Sequence, residues 1–355
     1  MMIYILILLV IVCFVFLLDN GKKNLVLFNN KKMKIDSTYF YIIGTVLILI
    51  SGLRKYTIGI DTYAYKVRFE QIKALDFRNF LNNIELEYGY NFLEFLLSRI
   101  TDNFQLLLII IAIIYVTSVS RIIKKYSANP PISFILFLTL GFYTFGMSSI
   151  RQTIAISITL LSFDYIIEKK LFKFISFVLI ASFFHTSALI FLPSYWFSKF
   201  RVNKKSVATF VVLASVTFLL KDNLRELMIV LFPRNYEVVE TGGELFYIFM
   251  LLSLMVGFLF KKSLVNSSYF NKYFYFMVVA AIIIFPIAKF NPAMLRLYYY
   301  YSIYLILYIP NILFAIKDKV IRLIGIYSYI GVSVFIFFSS IIPSSQLGKY
   351  LFFWQ

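Results

Sequence analysis

The chain has 355 residues, 61% of them hydrophobic and 20% aromatic, with a mean hydropathy of +0.84. Apolar runs of bilayer-crossing length recur from end to end, which excludes a soluble domain, and the alternating segments of about ten residues that build a β-barrel are absent. The net charge of +18 belongs to the loops between these runs, where it orients a membrane protein and meets anionic headgroups; nucleic acid is not needed to explain it.

The first run, MIYILILLVIVCFVFLL (2–18), lacks a basic leader and a small-residue cleavage site, so it is expected to remain as a transmembrane helix. It holds Cys13, the one cysteine, which leaves no intrachain disulfide and no cysteine-ligated metal cluster. Further apolar runs lie near 38–53, 104–120, 132–148, 150–167, 171–198, 206–220, 245–260, 273–288, 295–315 and 320–342. The expected fold class is all-α: a single polytopic integral membrane helical bundle, residues 1–355, with about 11–12 transmembrane segments.

The run 171–198 is long for one crossing and short for two, with His185 in its middle. Basic residues of short loops collect on the cytoplasmic side. If the N-terminus is outside and 171–198 enters and returns as a hairpin, the loops 19–38, 121–131, 168–173, 199–205, 261–272 and 317–322 are cytoplasmic and hold 21 of the 35 Lys and Arg. A single crossing would put KFRVNKK outside, so the hairpin is preferred, with His185 near its outer turn.

On that assignment 54–103, Arg151, His185, 221–244, Lys289 and Arg296 are external. Within 54–103, DTYAYKVRFEQIKAL spaces Tyr65, Phe69 and Ile72 along one helix face, which predicts an amphipathic interfacial helix over 61–75. YGYNFLEFLLSRI, 88–100, makes a second. The loop 221–244 reads as a lid.

The stretch SGLRKYTIGIDTYAYKVRFE (51–70) concentrates charge behind the second run. Arg54 and Lys55 either snorkel to headgroups or, for Arg54, act on a ligand, since the GIDTY turn brings Asp61 close. Asp61 reads equally well as an N-cap. Arg68, Glu70 and Glu87 are either solvated faces or one charged rim.

In GMSSIRQTIAIS, Ser149, Arg151 and Gln152 open a helix where amides and a guanidinium converge on an anion, the plainer reading being a headgroup anchor. His185, the only histidine, is either a packing residue or a hydrogen-bonding partner for phosphate or sugar. KFNPAMLRLYYYYSIYLILYIP puts Lys289 and Arg296 at a helix start, ahead of tyrosines expected in an interfacial belt. There is no P-loop, GxSxG, HExxH or DxD pair, so neither nucleotide chemistry nor a metal site is expected.

GLRKYTIGIDTYAYKVRFE, EYGY, SSIRQTIAISITLLSF and KKLFKFISFVLIASFFHTSALIFLP, in this order across 50–200, with an echo at AMLRLYYYY, resemble the EpsG-like branch of the Wzy polysaccharide polymerases. The resemblance implies an enzyme of O-antigen, capsule or exopolysaccharide synthesis in the bacterial cytoplasmic membrane, its active site facing outward. Its substrate would be an undecaprenyl-diphosphate-linked oligosaccharide, with one growing chain transferred onto the non-reducing end of another unit. The diphosphate would be the leaving group and no cofactor would be required. Membrane lipids, a chain-length regulator and a flippase are the implied partners.

For that chemistry Arg54, Arg151 and Arg296 are the expected stabilisers of diphosphate charge, with His185 beside them. Asp61, Glu70 and Glu87 are the carboxylates available to the acceptor hydroxyl. Tyr63, Arg68, Glu70, Glu87, Ser149, Gln152 and Lys289 are candidate substrate-binding residues. Three alternatives stand: an O-antigen ligase-type glycosyltransferase, a flippase or transporter of lipid-linked glycans, and a membrane acyltransferase. The near absence of charge inside the runs weighs against transport.

Overall fold

The computed structural model describes residues 2–18, 37–82, 87–220, 222, 223, 226, 242–288, 294, 296–344 and 347–355. Most of the basic loop 19–38 and of the expected lid 221–244, together with Lys289, lies outside the described residues. The chain is an all-α polytopic membrane protein. Among the described residues no strand is present beyond an isolated antiparallel bridge between Arg54 and Phe352.

The eleven apolar runs all fall on helical segments. Among the described residues, four helices have the length and apolarity to cross a bilayer, Phe104–Tyr126, Ile150–Ile167, Arg296–Ala315 and Lys319–Ile341. Two bent pairs, Pro130–Thr139 with Phe142–Ser148 (49°) and Glu244–Leu259 with Lys261–Ser267 (81°), raise this to six. The figure is below the expected about 11–12 because several runs are broken or fall short of the roughly 20 residues a crossing needs. Met2–Phe14, Ser37–Gly52, Leu171–Phe184 and Asn271–Pro286 are apolar but shorter.

The chain divides into two compact units: residues 1–189 with 327–355, and residues 190–326. In the 1–189 part of the first unit the helices are α1 (Met2–Leu18), α2 (Ser37–Gly52), α3 (Thr62–Lys73), α4 (Phe77–Asn82), α5 (Tyr88–Ile100), α6 (Phe104–Tyr126), α7 (Pro130–Thr139), α8 (Phe142–Ser148), α9 (Ile150–Ile167) and α10 (Leu171–Phe184).

Side-chain chemistry fixes their ends. Asn103 caps α6 by accepting from Gln105 N–H at 2.9 Å, and Asn129 caps α7 ahead of two prolines that sit where their missing amides cost nothing. Hydroxyls inside α9 return to their own helix, Thr153 to Ser149 O at 2.9 Å and Ser157 to Thr153 O at 2.8 Å, which satisfies them in apolar surroundings.

Helices α6 and α9 run parallel, with α2 antiparallel to α6, and so give the unit two ends. At one end Lys124 of α6 donates to Ser37 of α2, and Asp164 of α9 takes Arg121 and Lys125 of α6, each at 2.9 Å. At the other, the last turn of α2 meets Gln105 at the start of α6, and Ile150 packs with Leu107 and Leu108. This second end also carries α3 to α5. Both helices expected in 61–75 and 88–100 form, and α3 buries Tyr65, Phe69 and Ile72 as its spacing predicts.

In the second unit aromatic rings make the core. Phe191 stacks on Tyr304 at 6.1 Å and Phe274 on Tyr304 at 5.9 Å, while Asn271 and Asn311 join by a buried hydrogen bond of 2.8 Å. Tyr298, Tyr300 and Tyr301 are buried here rather than forming the expected interfacial belt. Tyr301 finds a backbone partner in Ile190 O, so its phenol needs no water.

Candidate active site

The turn 54–62 fixes the chain ahead of α9. Arg54 leaves α2 into the interior, where it is 1% exposed, and its guanidinium donates to the carbonyls of Ser51 and, at 2.8 Å, Met147. Thr62 Oγ1 donates to the same Met147 carbonyl at 2.9 Å, and Ile60 N–H reaches Ser148 Oγ at 3.4 Å. Arg54 is thus a buried tie between α2 and the α8–α9 junction. It forms no ion pair among the described residues. Asp61 occupies the N-cap position of α3, without a capping hydrogen bond from its side chain.

The junction delivers Ser149 and Arg151 to the first turn of α9. Gly146 lets it pass: a Cβ there would lie 2.4 Å from the Tyr115 ring. Ser149 is buried and gives its carbonyl to Thr153, and Gln152 is buried within the helix. Arg151 keeps its guanidinium at the surface of the bundle, its side chain 34% exposed.

Three elements meet at that guanidinium. Glu87, ahead of α5, has a left-handed backbone (φ 62°, ψ 51°), a conformation that costs a non-glycine residue about 1–3 kcal/mol unless its surroundings hold it. One of its carboxylate oxygens takes Arg151 Nη1 and the other takes His185 Nδ1. His185 stands at the break between α10 and the 3₁₀ helix Thr186–Lys199, in extended conformation. The helical run 171–198 is thus interrupted at His185. Gly89 permits the approach, since a Cβ on it would meet Phe183 backbone atoms at 3.1 Å.

The polar triangle has an aromatic backing. Arg151 Nε donates to the Tyr65 hydroxyl at 3.3 Å, and its guanidinium lies 5.5 Å from the Tyr65 ring and 5.9 Å from the Tyr90 ring, within cation–π range. Burial pushes the Glu87 carboxyl up, but the His185 hydrogen bond and charge, followed by Arg151, outweigh it and hold Glu87 below the usual carboxylate range. Arg151 Nη2 and His185 Nε2 have no partner among the described residues. They are the two groups the triangle leaves for a ligand.

Behind Tyr90 lies a second carboxylate, absent from the residues picked out by sequence. Glu94 of α5 is fully buried at its side chain and pairs with Arg68 Nε of α3 at 3.1 Å, while Arg68 also bonds Asn91. The Tyr90 hydroxyl reaches its other oxygen at 3.5 Å. Burial dominates here and raises the Glu94 carboxyl to about 7 despite Arg68. A signal existed: Glu94 is the one charge within the apolar run NFLEFLL.

Of the sequence candidates, Glu87, Arg151 and His185 come together. Arg68 stands in the adjoining network, Glu70 and Tyr63 are exposed on α3, and Arg296 belongs to the second unit, where it opens a 3₁₀ turn. Among the described residues no three His, Cys, Asp or Glu gather as a metal-binding group.

The family model described as the EpsG family matches residues 37–353, a range that takes in Glu87, Arg151, His185 and both units. The chain matches no curated protein and no solved structure.

Proposed function

Because the chain belongs to the EpsG family, which points to a glycosyltransferase-like polysaccharide polymerase of the membrane, we propose that it joins polyprenyl-diphosphate-linked oligosaccharide units at the Glu87–Arg151–His185 site. Undecaprenyl diphosphate is the carrier in this reading, and the site faces outward from the bacterial cytoplasmic membrane. The observation that carries the proposal is the sharing of Glu87 between Arg151 and His185.

The acceptor hydroxyl attacks the anomeric carbon of the growing chain. In the neutral imidazole, a hydrogen bond donated by His185 Nδ1–H to Glu87 leaves Nε2 as the lone-pair nitrogen that accepts the hydroxyl proton. The new glycosidic bond forms as the bond between the anomeric carbon and the phosphate oxygen breaks, and the electron pair departs on the diphosphate. Arg151 Nη2 meets that developing charge, with the guanidinium held by Glu87, Tyr65 and the two rings.

Arg54 is not assigned to this step, since its bonded N–H groups are committed to backbone carbonyls in the interior. The remaining sequence candidates, Asp61, Tyr63, Glu70, Ser149, Gln152, Lys289 and Arg296, are left without an assigned step.

The test is polymer formation from purified lipid-linked repeat unit by the wild type and by Arg151→Ala and His185→Ala, at matched folded protein. Product ladders that vanish in both variants support the assignment. Transfer of glycan to a lipid A acceptor instead of to a second repeat unit indicates a ligase, and movement of intact lipid-linked glycan across vesicles without bond formation indicates a flippase.

A further inference from the structure

A depression of about 420 Å³ opens beside α3, within the same unit as the Glu87 triangle but lined by other residues. Its walls come from four places: Tyr56 in the turn after α2, Lys66 and Glu70 on α3, Thr101 and Asn103 at the α5–α6 turn, and Phe353. None of these residues takes part in the Glu87–Arg151–His185 hydrogen bonds. The volume is of the size of a small-molecule site, about 300–1,000 Å³.

The walls are held, not draped. Phe353 N–H donates to Leu53 O and Lys55 N–H to Leu351 O, each at 2.9 Å, and Lys55 Nζ reaches Gln355 O at 3.0 Å. The segment 351–355 is therefore pinned along the 53–55 strip. Opposite it, Lys66 Nζ lies 3.7 Å from the centroid of the Tyr56 ring, which fixes both side chains. Phe353 keeps a face open, 44% exposed.

Hydrogen-bonding capacity around the depression is left over. Glu70 makes no hydrogen bond or ion pair among the described residues. Asn103 spends its carbonyl oxygen on Gln105 N–H, which leaves its amide N–H groups, and Thr101 Oγ1 accepts from Asn103 N–H, which leaves its hydroxyl hydrogen. The formal charges are mixed: Glu70 and Asp102 against Lys66, with Asp102 already paired to Lys73 at 2.9 Å. A diphosphate would meet carboxylates here, whereas a ligand with an apolar face and a rim of hydroxyls would find rings for the one and unused donors and acceptors for the other.

We infer that the depression between Tyr56, α3, the α5–α6 turn and Phe353 is a saccharide-binding subsite, taking uncharged sugar residues of a glycan. The choice of a glycan among polar ligands rests on the polymerase reading; the cavity does not. The sugar stacks on the open face of Phe353, with Tyr56 under Lys66 as the wall beside it, and Glu70, Asn103 and Thr101 bond its hydroxyls.

Trp354, 4.9 Å from the Phe353 ring, is one of two tryptophans, so Trp196→Phe leaves it as a single reporter beside the site. The full-length Trp196→Phe chain, in detergent micelles, is titrated with short oligosaccharides released by partial acid hydrolysis from the surface polysaccharide of its host, and in parallel with inorganic pyrophosphate. The expected result is a saturable fluorescence change with the oligosaccharides, weakened about tenfold by Glu70→Ala, the effect of one lost hydrogen bond to a charged group, and weakened also by Phe353→Ala. Glu70→Gln, which keeps the volume, serves if the alanine variant does not fold.

A response that is the same in these variants, or one given only by pyrophosphate, overturns the inference. Arg151→Ala separates the two proposals: polymer formation lost with the titration intact leaves the subsite standing on its own. A wild type that makes no polymer yet still gives the saturable response removes the polymerase reading and keeps the saccharide site.

Discussion

Glu87 and His185 meet 98 residues apart in sequence, one ahead of a short amphipathic helix and the other at the end of an apolar one, and the contact is made through His185 Nδ1. The same carboxylate holds Arg151, so each of the three fixes the other two. Replacing Glu87 by Gln keeps the shape but removes the charge that both partners face. The expected outcome is a loss of polymer formation, together with a stability loss of about 1.5–3 kcal/mol, the range for hydrogen bonds to charged groups. Thermal unfolding in detergent and product ladders read the two separately. A variant with lowered melting temperature and full polymer yield would make Glu87 a purely structural residue.

Arg151→Lys asks whether charge alone suffices. Lysine keeps the positive charge but cannot bond Glu87 and Tyr65 through a rigid fork while presenting a further N–H pair. Turnover should fall by about 10² or more, as when one preorganised donor is lost from a charge-stabilising site. Single-turnover product formation at saturating substrate gives the number, and a near-normal rate would show that the diphosphate needs only a nearby cation.

The two carboxylates titrate in opposite senses. Glu87 is held below its ordinary range, so its contribution to stability is present above that range and is lost as pH falls through the depressed value. Glu94 is raised to about 7, so the folded state binds the proton more tightly, and its contribution declines as pH rises from the ordinary 4.5 to about 7. Melting temperature followed from pH 4.5 to 7 should therefore fall more steeply in the wild type than in Glu94→Gln. Parallel curves would place the Glu94 carboxyl near its ordinary value.

The helical class, the two short helices within 61–75 and 88–100, and two of the residues that meet at Glu87 left local marks in the sequence. Tyr65, Phe69 and Ile72 repeat at helical spacing, Arg151 opens an apolar run, and His185 interrupts one. The burial of Arg54 was not legible because it depends on partners far away: Met147 supplies a carbonyl 93 residues on, and the segment 351–355 covers the strip beside it. Glu94 was missed because a carboxylate on a short amphipathic helix ordinarily faces water; only the packing of α3 against α5 turns it inward beside Arg68. The aromatic backing by Tyr65 and Tyr90 is likewise a product of two helices meeting, which no single stretch records.

Gly146 gives a test of how rigidly the junction positions Arg151. The glycine faces Tyr115, whose hydroxyl donates to Phe142 O at 2.9 Å and whose ring packs on Phe137 at 5.5 Å, so the ring is fastened at both ends. A methyl at Gly146 would stand 2.4 Å from one ring carbon and 2.6 Å from the next, inside any allowed contact. Either the Tyr115 hydrogen bond breaks or α8 moves away from α6, carrying Ser149 and the first turn of α9 with it. Gly146→Ala should therefore cost about 1–3 kcal/mol of stability and lower polymer formation in protein that remains folded. Tyr115→Phe, which removes the hydroxyl tether, separates the causes: in the double variant the ring can yield, and stability and activity should recover together relative to Gly146→Ala. Recovery of stability without activity would mean that Arg151 is displaced by something other than this contact.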